Sequence, residues 1–392
     1  MTAAGDGGAT ARGFFTQRRL TLAGTVLVVA GLLVALRAVD IDRVIGEMLR
    51  ADPWLLAAAV VVYAASWPLR GRRYGDVLAT TGYPLGTGFL TLAVFLSQTA
   101  NLVVPARAGD AVRAYVLQAR REVPYPAGFA SLAVERGFDL AAIAVLGAAA
   151  TAWLVVGEST ALATFLTGDA RLAVLGAAGV ALATLVAGVL TLVVANSGVA
   201  VGERLRTAVA GRPRLQRVVA AALDFTGDIA VVARNPRAVA VVGGGSLLIW
   251  SLDVATAVLV LAALDSALAV GTLLAVGTLA VSVGNLAKVL PLSQGGVGLY
   301  EAAFTGLVVA LTPLGAGLAL AAGIVDHALK NVVTLVGGGV AVAALGIRPS
   351  TAARRGTDAD ADPDATATPT PTATESTATG TPRTDGSGGT DD

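Results

Sequence analysis

Residues 85–110 read LGTGFLTLAVFLSQTANLVVPARAGD. An apolar run from 85 to 104 carries Ser97, Gln98, Thr99 and Asn101 near its end. Pro105, Arg107, Gly109 and Asp110 follow, with Arg113 one turn further on. Proline and glycine stop a helix and permit a tight turn. On either side of this stretch, apolar runs recur at 20–36, 54–69, 127–156, 172–195, 238–264, 267–290, 296–312 and 318–345. Helix is the expectation for each, because an open sheet edge leaves backbone groups unsatisfied in lipid. Of 392 residues, 55% are apolar and 14% charged, against about 25% charged in a soluble domain. That excludes a soluble globular enzyme, a disordered chain and a nucleic-acid-binding domain. The expected fold is all-α: a polytopic helical integral membrane protein with about eight spans.

Arginine placement bears on how the chain is threaded. Connections 1–19, 37–53, 70–84, 105–126, 157–171, 196–237 and 348–355 hold three, three, three, four, one, seven and three arginines. If every run crossed fully, the seven-arginine connection would lie outside. If 85–104 enters and returns to the same side, 20 arginines lie inside and four outside. The charge count therefore predicts a re-entrant element near 85–118 and cytoplasmic N- and C-termini. Non-helical backbone at membrane depth is tolerated where it lines a protein-enclosed or wet cavity, so this element points to a function.

Three polar sets carry the candidate chemistry. The first is Asn101, Pro105, Arg107, Gly109, Asp110 and Arg113. Asp110 is placed to cap the next helix, and the two arginines suit a phosphate. The same residues fit a cytoplasmic loop with a helix cap. The second is Asn285, Lys288, Pro291, Gly295, Gly296, Gly298 and Glu301. It repeats the Asn-Leu and Pro-x-x-x-Gly pattern of the first, which suggests two pseudo-repeated halves and one or two re-entrant elements. Broken helices in corresponding places of two halves point to a transport site; a glycine-rich turn with a capping Glu301 is the plainer account.

The third set is ionisable groups inside apolar runs. Glu135 and Arg136 can meet Asp139 on one helix face. Asp326, His327 and Lys330 are candidates for ion coupling, with Asp326 and Lys330 four residues apart. Asp253 sits alone in its run. Neutralised pairs that help a bundle to pack are the alternative. Asp40 and Asp42 resemble acidic pairs of membrane glycosyltransferases, although either also caps the amphipathic segment 41–49. With no cysteine and one histidine, neither disulfides nor a Cys- or His-rich metal centre is available.

Asn101…Pro105-x-Arg107-x-Gly109-Asp110-x-x-Arg113, then Glu135-Arg136…Asp139, then Pro291…Gly295-Gly296-x-Gly298-x-x-Glu301 resemble, in that order, the lysylphosphatidylglycerol synthase transmembrane, or flippase-like, family. The resemblance covers about residues 20–345. It implies a multi-helix domain with two re-entrant regions that meets a lipid headgroup, and relatives linked to dolichol-phosphate sugar metabolism. Members that join lysine to phosphatidylglycerol carry a soluble transferase domain after the membrane part, where this chain has an acidic tail.

The expectation is therefore a cell-membrane protein without covalent chemistry that binds and translocates a phospholipid or polyprenyl-phosphate lipid. It comprises a cytoplasmic segment 1–19, a membrane domain 20–346 and a disordered tail 347–392. No metal, cofactor or nucleic acid is expected, and homo-oligomerisation is left open. The rivals are a membrane glycosyltransferase using Asp40 and Asp42, and an ion-coupled transporter of a small solute.

Overall fold

A computed structural model describes residues 40–103, 109–157, 216, 230–264, 266–288 and 293–346. The expected runs 20–36 and 172–195, segment 1–19 and tail 347–392 lie outside the described residues. In chain order the helices are α1 (Ile41–Arg50), α2 (Pro53–Thr80), α3 (Thr87–Val103), α4 (Gly109–Arg121), α5 (Tyr125–Gly157), α6 (Pro236–Ala263), α7 (Val270–Ala287), a 3-10 turn (Gln294–Gly296), α8 (Leu299–Leu311) and α9 (Ala316–Leu345). Among the described residues there is no strand. α2, α5, α6, α7 and α9 are long and apolar enough to cross a membrane.

Local chemistry starts these helices where the sequence says. Asp40 Oδ1 accepts from Asp42 N at 3.1 Å and Arg43 N at 3.3 Å, so Asp40 is the cap of amphipathic α1. Asp52 and Asn235 cap α2 and α6, each followed by a proline at the first helical position. α9 stops at Gly346 in the left-handed conformation. α2 outruns its apolar stretch 54–69 by a further three turns, because Arg70 and Arg73 find buried partners rather than solvent. Pro68 sits inside α2, which membrane helices tolerate.

Contacts sort the helix ends onto two faces. On the first, Asp52 N donates to the Ala263 carbonyl at 2.8 Å, Trp153 of α5 lies against Gly271 of α7, and Arg43 of α1 against Gly317 of α9. On the second, Arg120 at the end of α4 donates to the Leu345 carbonyl at the end of α9.

Two hairpins enter the bundle from these opposite faces. α3 and α4 run antiparallel: Gly109 sits on Asn101 at one end, and the Arg121 guanidinium lies 4.6 Å from the Phe89 ring centre at the other. The chain therefore turns back, as the arginine count predicts. α7 and α8 form the second hairpin, with Gly284 against the Tyr300 ring near its tip. The sequence leaves 267–290 and 296–312 as either two spans or a second re-entrant element; in the structure they fold back on one another as a hairpin. The 13 residues of α8 reach only about 20 Å, short of the ~30 Å hydrocarbon thickness. The α8 start packs beside Asp326 and His327, close to the midpoint of the 30-residue α9. There the hairpin tips touch: a Cβ on Gly295 would come within 2.9 Å of Leu102 Cδ2.

Candidate functional site

The bundle core is not uniformly apolar. Two adjoining polar networks occupy it, both built across helices.

The network nearer the second face centres on Arg73 of α2. Its Nη2 donates to Glu135 Oε1 at 2.5 Å, and its Nη1 donates to Asp139 Oδ1 and, at 2.8 Å, to Ser246 Oγ. Arg113 Nη1 of α4 donates to Glu135 Oε2 at 2.5 Å. Trp250 Nε1 donates to Asp139 Oδ1 at 2.9 Å. Two guanidinium groups thus face two carboxylates, all buried, and the pairing joins α2, α4, α5 and α6. Arg136 pairs with Asp110 at 3.2 Å at the edge, where both side chains are 40% exposed.

The second network surrounds the tip of the α7–α8 hairpin. Lys330 Nζ lies 3.1 Å from Asp253 Oδ2 and 3.0 Å from Asp326 Oδ2. Tyr300 O–H donates to Asp326 at 2.5 Å, and Asn285 Nδ2 donates to Asp253 at 3.3 Å. Arg70 stands 3.9 Å from the other Asp253 oxygen. Glu301 bridges His327 Nδ1 at 2.7 Å and the Gly298 N–H at 2.6 Å. Gly295, Gly296 and Gly298 all take positive φ, the conformation that lets this turn reverse in so little space. The Lys288 ammonium lies 4.7 Å from the Tyr300 ring centre and pairs with no described carboxylate.

Several expectations change at this level. Asp110 does not cap α4; Asn101 Oδ1 accepts from Gly109 N at 2.9 Å instead, leaving Asp110 inside the first turn for Arg136. Neither Glu135 nor Arg136 turns to Asp139 along the helix, because Arg73 offers two buried donors from α2. The Asp326–Lys330 pair does form, as its spacing implies. Lone Asp253 joins it from 77 residues away. Asn101, Gly109 and Arg113 belong to the first hairpin, and Asn285, Lys288, the three glycines and Glu301 to the second. Pro105, Arg107 and Pro291 lie outside the described residues.

Sequence reading missed Arg70, Arg73, Tyr300 and Trp250. The arginines fell in a presumed loop because they follow directly on an apolar run. Asp253, a carboxylate in an apolar run with no cation near it in sequence, was the available signal that a buried cation comes from elsewhere.

Together these features define a polytopic helical membrane protein in which two opposed hairpins meet on a buried, charge-balanced layer. The chain belongs to the family described as the lysylphosphatidylglycerol synthase TM region, whose sequence profile matches residues 21–338. It is also 46% identical over 371 residues to a Haloferax volcanii protein named Glycosyltransferase AglD, across 89% of this chain and 58% of that relative. The chain thus spans little more than half the length of the curated relative it matches. This overturns the expectation of a protein without covalent chemistry that is not an enzyme, since the relative's name is that of an enzyme.

Proposed function

We propose that this chain is the membrane part of lipid-linked glycosyl transfer, binding a phosphate-bearing lipid headgroup and moving it between the two faces. The observation that carries this reading is the meeting of the hairpin tips at mid-depth beside Lys288, Lys330 and Arg70. Irregular backbone at that depth is tolerated only where it is buried in protein or lines a wet cavity, and the charged groups around this turn favour the second. Lys288 is the cation suited to the phosphate, because an ammonium binds it as a compact point charge and Lys288 pairs with no described carboxylate. Opposed entry of the two hairpins supports a two-half arrangement, in which separating the tips opens a path past the glycine turn. The relative's name supports glycosyl transfer as the setting, with a polyprenyl phosphate as the preferred lipid over a phospholipid.

Native mass spectrometry of the full chain from its membrane is the test. The expected result is a co-purifying phosphate-bearing lipid whose occupancy falls in Lys288→Gln while the protein stays folded. Equal occupancy in both proteins would remove Lys288 from the site, and absence of any such lipid would end the reading. Transfer by the chain itself is a second reading, favoured by the relative's name alone. Asp40 is already spent on capping α1, so that reading predicts loss of sugar incorporation in Asp42→Asn membranes with α1 intact.

A further inference from the structure

The second network is neutral only while His327 is neutral. From α6 it receives Asp253, from α8 Glu301 and from α9 Asp326. Against these stand Arg70 of α2, Lys288 at the end of α7 and Lys330 of α9. Tyr300 of α8 and Tyr63 of α2 face the same space as uncharged phenols. Three cations therefore meet three carboxylates among the described residues. His327 uses only one ring nitrogen. Nδ1 engages Glu301, while Nε2 is buried without a partner and the residue is 2% exposed. Asp326 Oδ1 is buried and unpartnered as well.

An anionic headgroup added to this layer would give it a net negative charge in low dielectric, which is costly unless a compensating charge arrives. Of the two open positions, Nε2 is the one whose protonation leaves the ion pairs in place, because Asp326 must stay ionised to pair with Lys330. We propose that the site takes up its lipid phosphate together with one proton, held on His327 Nε2. The step is simple protonation: neutral imidazole becomes imidazolium, Glu301 stays ionised as its partner, and no other bond changes. Glu301 also holds the Gly298 N–H. A full charge on His327 pulls Glu301 toward the ring and away from that N–H, so proton uptake loosens the glycine turn at the hairpin tip. Binding and loosening are then one event. This inference rests on the lipid-binding reading and adds a co-substrate to it.

Linkage makes the proposal measurable, because a ligand that brings a proton must bind more tightly as pH falls. The probe is short-chain phosphatidylglycerol, whose phosphodiester does not itself titrate near neutral pH, with inorganic phosphate as a parallel arm. Titration calorimetry of the full chain in two buffers of different ionisation enthalpy reads protons taken up per lipid bound. The expected result is uptake approaching one proton for the lipid at mildly alkaline pH. Affinity then rises up to roughly tenfold per pH unit of acidification, and inorganic phosphate gives no such signal. His327→Gln should bind without proton uptake and without pH dependence. Glu301→Gln, already one positive charge richer, should bind the lipid with reduced uptake. Lipid binding with no proton uptake in the unaltered chain overturns the proposal and leaves the lipid reading intact. An unchanged pH dependence in His327→Gln also overturns it. No lipid binding at any pH removes both.

Discussion

Leu102, at the end of α3, lies against the backbone of Gly295, so closely that a Cβ on Gly295 would come within 2.9 Å of its Cδ2. That contact joins the two hairpin tips. Gly295 also holds φ at 64°, which a side chain disfavours by about 1–2 kcal/mol. Gly295→Ala should therefore destabilise the protein twice over, by strain and by collision. Adding Leu102→Ala should recover the collision and leave the strain. Thermal unfolding of the two single variants and the pair checks this. Strict additivity would mean that the tips do not bear on one another.

The first hairpin is closed by a different device. Asn101 Oδ1 accepts from Gly109 N, the first residue of α4. Asn101→Ala should cost about 0.5–2 kcal/mol, the usual range for a lost cap. Gly109→Ala should cost more, because its Cβ would fall 2.1 Å from the Ser97 carbonyl oxygen, a backbone atom that cannot rotate aside. Hydrogen exchange localised to α4 would separate the two: fraying for Asn101→Ala, displacement of the whole hairpin for Gly109→Ala.

Class and family were legible in the sequence because both rest on local signals: run length, glycine and proline placement, and motif order. The turning back of 85–118 was legible from arginine counts, which report on chain threading rather than on contacts. What was not legible is the partner of each buried charge. Glu135 has a local arginine one residue away, yet its partners come from α2 and α4. Hydropathy assigns Arg73 to a loop because it averages over charge without knowing what will neutralise it. Whether α7 and α8 form a second hairpin was left open for a similar reason, since two short apolar helices and two full spans look alike until the depth of their shared turn is known.

Sidedness follows from the two faces and is tested without background, the chain having no cysteine of its own. Gly86 and Glu122 lie exposed at the base of the first hairpin, and Gly315 lies exposed on the opposite face. Single cysteines at 86 and 122 should react with an impermeant thiol reagent from the same side, the cytoplasmic one, and a cysteine at 315 only from the other. Labelling of 86 and 122 from opposite sides would make α3 a full span and dissolve the first hairpin.

The two networks should respond differently to loss of one cation, and that difference separates structure from binding. Arg73 has Glu135, Asp139 and Ser246 as partners, so Arg73→Gln strands carboxylates in a buried place. Breaking a buried pair in this way costs about 3–5 kcal/mol. Glu135→Gln should be costly too, since it leaves Arg113 without its carboxylate. The double variant should lose less than the sum of the two, because each removes the charge that the other leaves unpaired. Lys288 pairs with no described carboxylate and rests over the Tyr300 ring, an interaction of order 0.5–2 kcal/mol. Lys288→Gln should therefore unfold within a few degrees of the unaltered chain while losing bound lipid. Thermal unfolding and lipid yield measured in parallel decide it. If Lys288→Gln is as unstable as Arg73→Gln and retains its lipid, Lys288 is a packing element of the hairpin tip, and the cation that meets the headgroup is a different one.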